Sequence, residues 1–153
     1  MSRTEDRLKE KGLELPQPPR PVANYVGAVR VGNLVFVSGH GPAKDGQLIF
    51  KGKVGRDLDV ETAYQSAQLV ALNLLASLKA EIGDLDRVTR VVKLLGMVNC
   101  LPDFDRQPEV INGASDLLVH VFGERGVHAR SAVGMGSLPR NISVEIEMIV
   151  EIE

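Results

Sequence analysis

The clearest pattern lies at the end of the chain. From Ile142 to Ile152 every even position is apolar, while Ser143, Glu145, Glu147, Glu151 and Glu153 take odd positions around Ile149. A period of two sends successive side chains to opposite faces of a strand, so one face here is core and the other carries carboxylates. Val88 to Val98 is β-branched and nearly continuous, as expected of a strand covered on both sides. Between Tyr25 and Ser38 two β-rich runs flank Gly32-Asn33, a hairpin signal. A third extended piece is expected from Leu48 to Lys53, after the Lys44-Asp45-Gly46 turn. Ala129 to Met135 reads as a strand that turns near Leu138-Pro139-Arg140-Asn141 and returns as Ile142 to Ile152.

Two segments have the helical period instead. Ala63, Ala67, Val70, Leu74, Leu78 and Ile82 recur at three and four residues, with Asp59 placed to cap the start, Glu61 in the first turn and Gly83 at the end. Pro108 suits the first turn of a second helix with the stripe Val110, Ile111, Ala114, Leu117, Leu118, Val121 and Phe122, closed by Gly123. The order strand, strand, helix, strand, helix, strand, strand predicts an α+β sheet with both helices on one face. The other face, with Ile149 among its carboxylates and an apolar hairpin beside it, predicts burial against another subunit.

Residues 3 to 11 are charge-dense, and Gly12, Pro16, Pro18, Pro19 and Pro21 follow, so residues 1–21 read as an extension and 22–153 as the compact domain. Such an extension either caps a cleft, tightens subunit contacts or is a solvated, partly helical tail; composition favours the tail.

The length of 153 residues fits one domain. With 18 Lys and Arg against 20 Asp and Glu, the net charge of −2 names no polyanionic partner. One cysteine excludes an internal disulfide and fits a reducing compartment. No uncharged run reaches the ~20 apolar residues of a membrane span, and the N-terminus lacks the apolar segment of a secretory signal, so a cytoplasmic protein is expected.

Candidate chemistry is sparse. His40, His120 and His128 lack the spacing of a zinc site, and no metal is expected. Cys100 at a strand end reads as a small buried hydrophobe. Ser38 and His40, two apart in an extended strand, share a face, yet no third triad member is indicated. Arg130 and Glu145 remain. On residue type alone Glu145 is one of several carboxylates on a strand face and Arg130 a surface cation; whether they share a face depends on the 137–141 turn, since a slip of one residue reverses parity.

Ala129-Arg130-Ser131-Ala132-Val133, then Leu138-Pro139, then Val144-Glu145-Ile146-Glu147, resembles the C-terminal signature of the Rid family, the reactive intermediate deaminases also labelled L-PSP endoribonucleases or YjgF-like proteins. Tyr25-Val26 with Val31 to Gly39 looks like that family's opening hairpin, and the likeness runs over about residues 22–152. It implies a chorismate-mutase-like subunit in a homotrimer, with sites in the clefts between subunits. There, 2-enamine and 2-imino acids are hydrolysed to 2-keto acids and ammonia without a cofactor. Carried over, Arg130 holds the substrate carboxylate, Glu145 acts on water, Tyr25, Ser38 and Gly39 line the cleft, and Asn112 matches a polar helix position.

The residue types suit that chemistry. A guanidinium grips a carboxylate through two parallel charge-assisted hydrogen bonds, and one carboxylate can take a proton from attacking water and return it to departing ammonia. The chain departs from the pattern at Ala132, where many members have Cys, and at His40, where Gln is common. Two competing readings are an endoribonuclease acting on single-stranded RNA and a non-catalytic regulatory trimer that binds small carboxylates. Against the first stand the low aromatic count, two Tyr and four Phe, and the absence of Trp.

Overall fold

The computed structural model describes residues 2–21 and 23–153; the expected domain start at Val22 lies outside them. Helix α1 (Arg3–Glu10) leads through a proline-rich connector to β1 (Ala28–Val31) and β2 (Leu34–His40), then to a small hairpin of β3 (Ala43–Lys44) and β4 (Gln47–Leu48). Helix α2 (Val60–Ile82), β5 (Val88–Asn99), α3 (Gln107–Phe122), β6 (Ala129–Met135) and β7 (Val144–Ile152) complete the chain. Five strands make one sheet in the order β1-β2-β7-β5-β6.

The alternation of β7 organises this sheet. Val144, Ile146, Met148, Val150 and Ile152 are all at most 1% exposed, on the face that packs against α2, while α3 covers β5 and β6 beside it. Every member of the two predicted helical stripes is buried, Asp59 accepts the Thr62 N–H as the N-cap of α2, and Gly83 and Gly123 end the helices. The two helices pack closely because residue 113 is glycine: a Cβ there would overlap the Tyr64 carbonyl.

Three expectations change. β6 does not return as a hairpin partner of β7, because α3 is the crossover of a β-α-β unit that lays β6 parallel to β5, and β5 pairs antiparallel with β7 on its other side. The extended piece at 48–53 is instead the β3–β4 hairpin, followed by a bend in which Phe50 and Gly52 have positive φ and Lys51 bridges Ile142. Helices cover β5 on one face only; on the other, Lys93 and Leu95 are half-buried.

The pairing also fixes parity. Arg130 and Met148 both pair with Leu94, so Arg130 lies on the helix side, whereas Glu145 pairs with Met97 on the opposite side. Val29, Val31 and Phe36 on the helix-free side are 49%, 61% and 43% exposed.

Helix α1 is docked, unlike the solvated tail that composition favours. Leu8 is 1% exposed and belongs to the main core, Thr4 is fully buried, and Glu5 pairs with Lys79. Asp86 accepts the Arg3 N–H at 2.9 Å, the Thr4 N–H at 3.1 Å and the Thr4 hydroxyl at 2.8 Å, adding a distant carboxylate to the local Ser2 cap. Charge density hid this because one leucine and one threonine supply the contact. Among the described residues no helix is long and apolar enough to cross a membrane.

Truncating Leu8 leaves a cavity between α1 and α3. Leu8→Ala is therefore expected to cost about 2–5 kcal/mol, measured by urea denaturation, where a solvated tail would show no change.

Candidate functional site

Glu145 stands at the start of β7 on the helix-free side, half-buried. Its space is opened by Gly39, where a Cβ would overlap the carboxylate and lie 3.2 Å from its Cδ. The approach comes from a register shift between Val37 and His40 in β2. The same irregularity separates Ser38 from His40, which do not share a face. The Ser38 hydroxyl donates to the Val26 carbonyl at 2.6 Å, tying down the segment that follows Tyr25. His40 turns inward at 7% exposure; its Nδ1–H donates to the Ser38 carbonyl at 2.5 Å and its Nε2 accepts from the Ser77 hydroxyl at 2.7 Å.

Tyr25, Gly39 and Glu145 line one cleft of about 820 Å³, together with His40, Arg140 and the connector from Pro16 to Pro21. Helix α2 stiffens its wall through polar side chains buried within an otherwise apolar face: Ser77 holds His40, and Asn73 donates to the carbonyls of Gly41 and Ala43 at 3.1 and 2.9 Å. Ser38 faces a neighbouring depression with Phe36, Leu95, Glu147 and Ile149. Burial, and secondarily the charge of Glu147, push the Glu145 carboxyl above its ordinary value. That direction suits a group that must both accept and return a proton near neutrality.

Arg130 belongs to a separate constellation at the β6 edge. Its Nη1 donates to Ser115 Oγ at 3.0 Å and its Nη2 to the Pro108 carbonyl at 3.3 Å. The Ser115 hydroxyl donates to His128 Nε2 at 2.9 Å, and His128 Nδ1–H donates to the Gly126 carbonyl at 2.6 Å. Half-buried Asn112 shares the helix stripe of Pro108 and Ser115. A single subunit thus sets Arg130 against the stripe of α3 that carries Asn112, and separately gathers Tyr25, Gly39 and Glu145, on opposite sides of the sheet.

Ser115 and His128, which brace the guanidinium, were not legible without the β5–β6 pairing, although the three- and four-residue steps from Pro108 to Asn112 and Ser115 were visible. Cys100 lies in the core at 6% exposure. Among the described residues no three His, Cys, Asp or Glu side chains cluster as metal ligands.

A family model described as "YjgF/chorismate mutase-like, putative endoribonuclease" matches residues 5–152. The chain belongs to this family. The crystal structure of Atu1372 from Agrobacterium tumefaciens, a protein of unknown function, superposes with a TM-score of 0.94 at 51% identity, covering 99% of this chain and 93% of that one. Such coverage takes in α1 and the connector. Protein TCP17 of Trypanosoma cruzi is 43% identical over 95% of this chain and 91% of its own length. The 2-iminobutanoate/2-iminopropanoate deaminase of Dermatophagoides farinae is 28% identical over 92% of this chain and 95% of its own.

Burial lowers the pKa of His40 and His128 below the ordinary 6.5, against their hydrogen bonds to backbone carbonyls; for His128 the charges of Arg130 and Arg90 add to the effect. The unfolded chain therefore takes up these protons first as pH falls. Their contribution to stability is complete above pH 6.5 and is lost through the window below it. Urea unfolding between pH 7.5 and 5 should show that decline, and His40→Gln should show a smaller one; identical slopes would refute the assignment to His40.

Proposed function

We propose that this family member is a hydrolytic 2-imino acid deaminase whose sites form between subunits of a homotrimer. The observation carrying the proposal is the half-buried Glu145 carboxyl, set in a cleft where Gly39 leaves room beside it. The name of the mite relative, a 2-iminobutanoate/2-iminopropanoate deaminase, supports the same reaction class. Arg130 and Glu145 occupy opposite faces of one sheet, so a site using both draws them from different copies. The exposed apolar residues Val29, Val31 and Phe36 on the helix-free side supply a surface for that association.

In this mechanism Arg130 of one subunit holds the substrate carboxylate through paired hydrogen bonds, and the Ser115–His128 chain fixes its head group. Water adds through oxygen to the carbon of the protonated imine while Glu145 of the neighbour accepts its proton, giving a carbinolamine. Glu145 returns that proton to the carbinolamine nitrogen, the carbon–nitrogen bond breaks as the hydroxyl proton passes to the departing ammonia, and a 2-keto acid and ammonium leave. Positioned acid–base catalysis contributes about 10² to 10⁴ in rate, sufficient for an electrophile that already reacts with water.

The competing endoribonuclease reading calls for bases stacked on aromatic rings, and among the described cleft residues Tyr25 is the single Phe, Tyr or Trp. A non-catalytic carboxylate binder would need Arg130 but not Glu145.

Imino acids generated in solution by an amino-acid oxidase provide the assay. The protein is expected to accelerate keto-acid release, and Arg130→Ala and Glu145→Gln each to abolish the acceleration. Unfolding equal amounts of the two variants together and refolding them as mixed trimers should recover about a quarter of wild-type activity, because on random mixing about one site in four draws an intact Arg130 from one parent and an intact Glu145 from the other. No acceleration by the wild type sinks the reading. Inactive mixtures of well-folded trimers sink the shared site.

A further inference from the structure

The Glu145 cleft holds more positive charge than a monocarboxylate substrate requires. Arg140 lines it from the 3₁₀ turn Pro139–Asn141, at φ 57° and ψ 22°, and Asn141 follows at φ 59°. Two successive non-glycine residues in the left-handed region persist only where their surroundings impose that conformation. Here Gly52 N–H donates to the Asn141 carbonyl at 2.7 Å, and the buried Asn99 amide donates to Asn141 Oδ1 and to the Ile142 carbonyl, both at 3.1 Å. The turn is thus held from the body of the protein in a conformation that directs Arg140 to the cleft.

Arg20 lines the cleft from the connector. It lies between Pro19 and Pro21, whose rings restrict the backbone to extended conformations, and docked α1 anchors the segment upstream. Among the described residues, neither Arg20 nor Arg140 has a carboxylate within ion-pair distance. Of the two carboxylates lining the cleft, Glu145 is the proposed base and Asp45 sits on the exposed tip of the β3–β4 turn.

We propose that Arg140, with Arg20, forms a second anion subsite, and that the preferred substrates are 2-imino acids with an acidic side chain, the 2-imino dicarboxylates. This rests on the reading of the Glu145 cleft as the deaminase site: Arg130 takes the carboxylate next to the imine, and the second acid group meets Arg140. The reaction is unchanged, water adding to carbon and ammonia departing, while the side-chain carboxylate only orients the substrate.

The stable product pair 2-oxobutanoate and 2-oxoglutarate tests this by calorimetric titration of the full chain. The dicarboxylate is expected to bind about tenfold more tightly, one charge-assisted contact's worth. Arg140→Asn, which keeps a residue tolerant of positive φ, should bring the ratio of affinities close to one, and Arg140→Lys should restore part of it. Equal affinities in the wild type, or a variant that weakens both ligands by the same factor, would overturn the subsite. Two further results separate the two ideas: in Arg130→Ala a loss of affinity shared by both ligands supports the clamp, whereas dicarboxylate preference in a wild-type protein that does not accelerate imine hydrolysis leaves the anion subsite standing and removes the deaminase.

Discussion

The pleat of β7 is the constraint on which the rest depends. Val144 and Ile146 must face the helices to close the core, and the residue between them is therefore turned the other way. That residue is Glu145. A carboxylate in this position is partly desolvated by the sheet and approached by Gly39 across the β2 irregularity, so the packing that buries five apolar side chains also raises the proton affinity of one acid. Stability and chemistry are built from alternate residues of one strand.

Much of this was legible in the sequence because it is local. The two-residue period of β7, the helical stripes of α2 and α3, the Asp59 cap and the Gly32-Asn33 hairpin all depend on neighbours along the chain. What escaped depends on partners far away. Nothing between Ala129 and Ile152 announces that β5 separates the two final strands, because that arrangement follows from the α3 crossover. Ser38 and His40 face apart for a similar reason: one shift of register outweighs the alternation that predicts a shared face. The family signature marked Arg130 and Glu145, but the pairing with Leu94 and Met97 separates them onto opposite faces.

The buried polar groups of α2 have a related lesson. Ser66, Asn73 and Ser77 interrupt its hydrophobicity, yet each has a partner: Ser143, the carbonyls of Gly41 and Ala43, and His40. A fully apolar helix would bury more hydrocarbon and leave the corner after β2 without its hydrogen bonds. Placement of the cleft wall thus depends on residues that a hydrophobic count treats as defects.

The attachment of α1 sets an order of events during synthesis. Its carboxylate anchor, Asp86, and the helix it packs against lie roughly 80 to 115 residues downstream. On the ribosome α1 emerges ahead of the elements that hold it and must wait, without these contacts, until they have been translated. This helix is made before its anchors and secured after them, and Leu8 lacks its core partners throughout that interval.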